Sequence, residues 1–172
     1  MARWEQVPRS WLFVPGNRPR MLAKVPTVGA EAVILDLEDA VPPAEKVSAR
    51  EMVRDFLHTL ATQPAADRLP PIFVRVNRLA HPGGSPDFAA DLRAVVGPLL
   101  TGVVLPKVER AAEVEAASTL LASLEAEAGL AQGTVHLVPL VESARGLLHA
   151  ETIAQSDTRV VAAAFGAEDY AL

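Results

Sequence analysis

Apolar residues fall along this chain in six short, nearly unbroken runs. They are SWLFVPG (10–16), AVILDLED (32–39), IFVRVN (72–77), GVVLPKVE (102–109), VHLVPLVES (135–143) and VVAAAFGAED (160–169). Continuous Val, Ile, Leu and Phe, without polar alternation, predicts strands buried on both faces. The runs begin roughly 20 to 40 residues apart, the spacing of strands that each carry a covering helix. Between them the apolar positions recur at helical intervals. Residues 44–61 set Val53, Phe56, Leu57 and Leu60 on one face, and residues 85–96 set Phe88, Leu92, Val95 and Val96 on another. Ser85 is the expected cap of that second helix, with Pro86 in its first turn. Residues 109–128 predict a long Ala/Glu-rich helix that stops at Gly129, and residues 18–30 a weaker one that Pro26 cuts or kinks. The stretch PAADRLPP (64–71) reads as a connecting loop.

Each apolar run closes on residues that a core would not select. The endings are Pro15-Gly16-Asn17, Asp36-Glu38-Asp39, Arg75-Asn77, Lys107-Glu109, Glu142-Ser143 and Glu168-Asp169. In α/β proteins the site lies outside the carboxyl ends of the strands. Polar endings on every strand favour a rim, and hence a (β/α) barrel, over an open doubly wound sheet that would gather its site at one switch point. A closed barrel of this type needs eight units and typically about 250 residues. The expectation is therefore a TIM-type (β/α)8 barrel truncated to about six units, a single partial domain over residues 1–172. A fragment is the favoured explanation of the shortfall, and a partner chain covering the gap is the alternative.

Composition narrows the function classes. Net charge is −5 and the pI is near 5.4, which argues against nucleic acid and acidic membrane surfaces as partners. There is no cysteine, so disulfides, thiolate catalysis and Cys-ligated zinc are excluded. The segment MARWEQVPRSW lacks the apolar core of a signal peptide and no stretch reaches membrane-spanning length, so a cytoplasmic protein is expected. The histidines at 58, 81, 136 and 149 form no pair at metal-ligand spacing, and those at 58 and 149 are expected on solvated helix surfaces. No Walker loop, G-x-G-x-x-G or serine elbow is present, and HPGGSP (81–86) is a plain Gly-rich turn.

The segments RSWLFVPGNRPRML, GAEAVILDLEDAVPPAEKVSAR, VRVNRL, VVLPKVE, LVPLVESARGL and AAAFGAEDYAL follow one another in register from about residue 9 to the C-terminus. Together they resemble the citrate lyase β-subunit (CitE-like) branch of the HpcH/HpaI aldolase superfamily. That resemblance implies a TIM barrel, Mg²⁺ dependence, a homotrimer, and making or breaking of a C–C bond in an acyl-CoA or acyl-carrier-protein thioester. The substrates it implies are of the citryl, citramalyl or malyl type. The family barrel continues past this sequence, and its later segment can contribute to the active site.

The rim residues then take candidate roles. By the resemblance, Glu142 of V-E-S and Asp169 of G-A-E-D are the metal ligands, and two hard carboxylates completed by water and substrate oxygens suit octahedral Mg²⁺. Glu142 also reads as a plain carboxylate at the N-terminus of the helix that follows. Glu168 is expected to point away from Asp169, as a salt-bridge partner. Arg75, a guanidinium inside an apolar strand, must meet an anion. That anion is Asp36 or Glu38 of the preceding strand, a substrate carboxylate or thioester oxygen, or both. Alternation puts Asp36 and Glu38 on one side of their strand, facing the barrel interior to orient Arg75 or metal-bound water, with Leu35 and Leu37 opposite. Asp36 is also the candidate base for the substrate hydroxyl. Asp39 is expected to cap the next helix or pin the Pro42-Pro43 loop. Pro15, Gly16 and Arg18 are candidate substrate contacts: a tight turn by the thioester and a cation for its phosphate-bearing arm. Lys107 reads either as a ligand contact or as a rim salt bridge to Glu109. Competing functions are an HpcH/HpaI-type pyruvate aldolase, against which the absence of a strand-end His counts, and a non-catalytic subunit.

Overall fold

Six parallel strands lie side by side in chain order: β1 (Trp11–Pro15), β2 (Ala32–Asp36), β3 (Ile72–Arg75), β4 (Leu100–Leu105), β5 (His136–Val141) and β6 (Ala164–Phe165). The structure, a computed structural model, describes residues 8–64, 66–79 and 86–171. A doubly wound sheet reverses its strand order at a switch point, whereas a barrel wall does not. The unbroken order is that of a barrel wall, so the fold is an α/β, TIM-like half-barrel.

The helices are α1 (Pro19–Leu22), α2 (Lys46–Ala61), α3 (Pro86–Val95), α4 (Ala111–Glu127), α5 (Ala144–Leu148), α6 (Ala150–Ala154) and α7 (Ala167–Tyr170). The weak helix at 18–30 is cut as Pro26 requires: α1 ends at Leu22, and Pro26 then lies in a separate 3-10 turn, Val25–Thr27. Gly129 ends the long helix with a left-handed φ of +68°. Ser85, His81 and the HPGGSP turn lie outside the described residues, apart from Pro86, which opens α3. Among the described residues no helix is long and apolar enough to cross a membrane.

Side-chain alternation divides the strands between two cores. Val33 and Leu35 of β2, Ile72 and Val74 of β3, and Val103 and Leu105 of β4 face the helices, where Val53, Leu57, Leu60, Leu92 and Leu121 bury them. Ala32, Ile34, Phe73, Val104, Val138 and Leu140 point to the concave side and form a second cluster. There the Trp11 and Phe73 rings pack 4.8 Å apart. The last strand is shorter than its apolar run, because Val160 makes only an isolated bridge to Leu137.

Two buried ionic groups tie the outer layer together. Asp91 on α3 accepts from Arg50 Nε of α2 at 2.6 Å, and from the backbone N and Nδ2 of Asn77 at 2.8 and 2.7 Å. Asn77, expected at the rim, is therefore spent on pinning the loop after β3. Glu125 of α4 takes both Arg159 forks at 2.7 Å and the amides of Gly133 and Val135.

Candidate active site

The carboxyl ends of the strands and the concave face together bound a cavity of about 850 Å³. Arg75, Glu142 and Asp169 all line it, with Asp39 beside them and Phe13 and Ile34 below. Glu142 follows β5 and Asp169 sits in α7, directly after β6. Since β5 and β6 are hydrogen-bonded neighbours, these two carboxylates come from adjoining units.

Arg75 ends β3 in register with Asp36 of β2. The guanidinium forks onto Asp36, Nε to Oδ1 at 2.8 Å and Nη2 to Oδ2 at 2.6 Å, while Nη1 lies 3.2 Å from Glu38 and 3.4 Å from Asp39. It also stacks over the Phe13 ring, 5.1 Å from the centroid. Burial alone would lower the Arg75 pKa, but the bonds and charge of Asp36, Glu38 and Asp39 more than offset it, so the net shift is upward. The ion pair with the preceding strand forms, and the same guanidinium lines the cavity.

Asp36 is fully engaged. Beyond the two Arg75 bonds, its Oδ1 accepts the Glu38 amide at 2.9 Å and its Oδ2 the Ala40 amide at 3.1 Å. It does not line the cavity; its bonds hold Arg75 and shape the turn after β2. Asp39 neither caps the next helix nor pins the Pro42-Pro43 loop. Asp39 instead faces the cavity and pairs with Arg75 and with Lys107, whose Nζ lies 3.0 Å from Oδ1. Glu38 is buried between Arg75 and Lys107, and burial lifts its carboxyl to about 7 against the opposing Lys107 bond. Lys46 donates to the Leu37 and Glu38 carbonyls at the same turn.

Lys107 is the residue whose part was least visible in the sequence. Its ammonium reaches Glu38 at 2.8 Å, Asp39 at 3.0 Å and Asp169 at 3.1 Å. The expected bridge to Glu109 does not form: Glu109 accepts from Ser143 Oγ at 3.0 Å, with Arg78 and Arg145 each 4.0 Å away. Burial depresses the Lys107 pKa, yet its three carboxylate partners raise it further, so the ammonium stays charged.

Glu142 does not cap the helix after it. Ser143 does, accepting the Gly146 amide at 3.1 Å. The Glu142 carboxylate turns to the rim, where Oε2 accepts the Lys107 amide at 2.8 Å and Gly166 makes room for Oε1. A Cβ at Gly166 would lie 2.5 Å from Glu142 Cγ and 2.7 Å from Oε1. Burial and the charge of Asp169 push the Glu142 pKa up, with the Lys107 amide opposing them. Two mutually repelling hard oxygen donors with room beside them fit a divalent cation. Among the described residues no three His, Cys, Asp or Glu side chains gather as a metal cage; Mg²⁺ commonly takes one or two carboxylates and fills the rest with water and substrate.

The remaining predicted residues sort by position. Gly16 is buried and its amide donates to Asp36 O at 2.8 Å. A Cβ there would lie 2.8 Å from that oxygen and 2.9 Å from Val53, so this glycine serves close packing of β1 on β2 rather than an open turn. Arg18 is exposed just beyond it, and Pro15 ends β1 in register with Asp36. Asn17, part of the first polar strand ending, donates to Glu45 at 2.6 Å and leaves Oδ1 as the buried side-chain atom without a partner among the described residues. Glu168 is exposed at the cavity mouth and makes no ion pair among the described residues. Of the histidines, His58 is exposed on α2, His136 opens β5 at the far end from the rim, and His149 bonds the Glu109 carbonyl at 2.9 Å.

Comparison with known proteins shows the family. A profile of the family described as HpcH/HpaI aldolase/citrate lyase matches residues 9–172. Citrate lyase subunit beta of Leuconostoc mesenteroides subsp. cremoris is 37% identical over 166 residues, covering 96% of this chain and 52% of that protein. L-malyl-CoA/beta-methylmalyl-CoA lyase of Cereibacter sphaeroides is 35% identical, covering 95% of this chain and 49% of that protein. The chain thus spans about half the length of the curated relatives it matches. Among solved structures, protein CitE from Mycobacterium tuberculosis in complex with magnesium and acetoacetate superposes with a TM-score of 0.66 at 39% identity, covering 93% of this chain and 54% of that one. The Haloferax volcanii malate synthase magnesium/glyoxylate complex reaches a TM-score of 0.78 at 18% identity, covering 98% and 54%, a likeness of fold alone. With matching motifs, an unbroken parallel strand order and carboxylates at the ends of adjoining units, the chain belongs to the HpcH/HpaI aldolase/citrate lyase family.

Proposed function

We propose that this protein is a Mg²⁺-dependent carbon–carbon lyase that cleaves a 3-hydroxy-acyl thioester of the citryl, citramalyl or malyl type. The observation that carries the reading is the meeting of Glu142, Asp169 and Arg75 on one cavity at the carboxyl ends of the strands. Glu142 and Asp169 would hold the cation. When bound, a divalent cation supplies Lewis-acid polarisation of an oxygen at the hydroxy-acid end of the substrate. Arg75, held rigid by Asp36 behind it, receives the thioester oxygen and stabilises the enolate that leaves when the C–C bond breaks. The substrate hydroxyl gives up its proton and becomes the carbonyl of the α-keto acid as the C–C bond breaks, the bonding pair passes to the enolate, and the enolate carbon takes up a proton to leave the acyl thioester. Ile34, Val104 and Val138 give the cavity a dry wall, which strengthens these charge interactions.

Arg18, exposed beyond β1 with Pro15 and Gly16 behind it, is read as a contact for the phosphate-bearing arm of CoA or of an acyl-carrier protein. The chain is read as one partial barrel domain of a cytoplasmic homotrimer, on the strength of the family. Among the described residues no His lines the cavity, which favours the thioester lyase over a His-dependent pyruvate aldolase. The test is a panel of citramalyl-CoA, malyl-CoA and citryl-CoA assayed with Mg²⁺ for the wild type and Glu142→Ala. Turnover that Glu142→Ala abolishes, with circular dichroism unchanged, supports the reading. Turnover unaffected by Glu142→Ala removes the metal assignment, and cation binding without any turnover favours a non-catalytic subunit.

A further inference from the structure

Among the described residues Lys107 is the one non-glycine with a positive φ, +54°. A left-handed backbone costs an L-residue about 1 kcal/mol or more, so its surroundings must enforce it. Those surroundings are the carboxylate pair itself. The left-handed turn aims the Lys107 amide at Glu142 Oε2 (2.8 Å), and the same residue's ammonium lies on Asp169 Oδ2 (3.1 Å). One residue thus holds both candidate ligands, through its main chain on one and its side chain on the other. The ammonium is also bonded to Glu38 and Asp39, at 2.8 and 3.0 Å. It is the cation that keeps Asp169 next to three other acids: Glu38, Asp39 and Glu142.

We propose that Lys107 is a positioning residue and internal counter-ion of the cation site: its amide fixes Glu142, and its ammonium holds Asp169 until an incoming divalent cation displaces it. This rests on the assignment of Glu142 and Asp169 as the cation's ligands. Glu38 and Asp39 give the released ammonium a place to remain, so the displacement is a short shift within one acidic group. The metal-free and loaded states then carry compensated charge in both cases, and the carboxylates do not splay apart when the cation leaves.

Two measurements test it, neither of which reads turnover. The first is Mn²⁺ affinity by electron paramagnetic resonance for the wild type, Lys107→Met, which removes the ammonium and keeps the amide, and Lys107→Gly, which also relieves the positive φ. Removing a competing cation should tighten Mn²⁺ binding at least about tenfold in both variants and lower the melting temperature without metal. The second uses the wild-type protein alone: acetylation footprinting by mass spectrometry should show Lys107 becoming more reactive when Mg²⁺ is added, with Lys46, bonded to the Leu37 carbonyl, unchanged. Equal or weaker Mn²⁺ binding by a folded variant, or a Lys107 that stays protected at saturating Mg²⁺, overturns the displacement. A wild type that binds no Mn²⁺ overturns the ligand assignment instead, and this proposal with it.

Discussion

Replacing Asp36 by alanine should destabilise the fold far more than an ordinary rim substitution. The Asp36 side chain is 1% exposed and that of Arg75 11%, so this is a desolvated pair. Its removal takes away two charge-assisted bonds of 2.8 and 2.6 Å and the acceptors of the Glu38 and Ala40 amides. Breaking a buried pair by deleting one partner costs about 3–5 kcal/mol. The lower end applies here, because Glu38 and Asp39 still face the guanidinium at 3.2 and 3.4 Å. With a urea m-value of about 2 kcal/mol/M, about 3 kcal/mol lowers the unfolding midpoint by about 1.5 M. Arg75→Met should cost at least as much, since it leaves Asp36, Glu38 and Asp39 facing one another. The double variant should lose less than the sum of the singles, because the two residues share one interaction. A midpoint drop in Asp36→Ala below about 0.5 M, or strict additivity in the double variant, would refute the claim that this pair holds the rim together.

Two other outcomes follow from the same geometry. Burial raises Glu38 from its ordinary 4.5 to about 7; the folded state then binds that proton more tightly, so its stabilising contribution is complete below pH 4.5 and lost as pH rises through 7. Glu38→Gln should therefore flatten the decline of the melting temperature across that window, and an unaltered slope would contradict the burial argument. At Gly166, an added methyl would fall 2.5 Å from Glu142 Cγ, so Gly166→Ala should weaken Mn²⁺ binding by about 10- to 100-fold, with little change in melting. An unchanged titration would show that Glu142 does not need that space.

The strands and helices were legible because their chemistry is repetitive. Continuous Val, Ile and Leu in AVILD and GVVL can only be strands with both faces covered, and α2 and α4 carry their apolar residues at helical spacing. The parallel order followed from the polar endings, and Arg75 announced itself as a charge inside an apolar strand. What was hidden depended on which acid meets which base across elements distant in the chain. The Asp36–Arg75 pair was among the partnerships the sequence offered, and it forms; Asp39, expected to cap the next helix or pin the Pro42-Pro43 loop, turns instead to Lys107, a meeting that local spacing does not encode. The positive φ of Lys107 carries no sequence mark, since nothing about a lysine after a proline favours it. Asp91 was equally silent: an acid in an amphipathic helix reads as solvated until Arg50 and Asn77 are seen around it.

The strand order carries a consequence for how the molecule is made. Each of these six strands pairs only with the ones before and after it in the chain, so none of these ladders waits for a distant segment to be synthesised. A nascent polypeptide can finish one βα hairpin-like step before the next emerges, keeping contact order low for a sheet protein. At every stage one unsatisfied row of amides and carbonyls leads the growth, and the ribosome delivers its natural partner next.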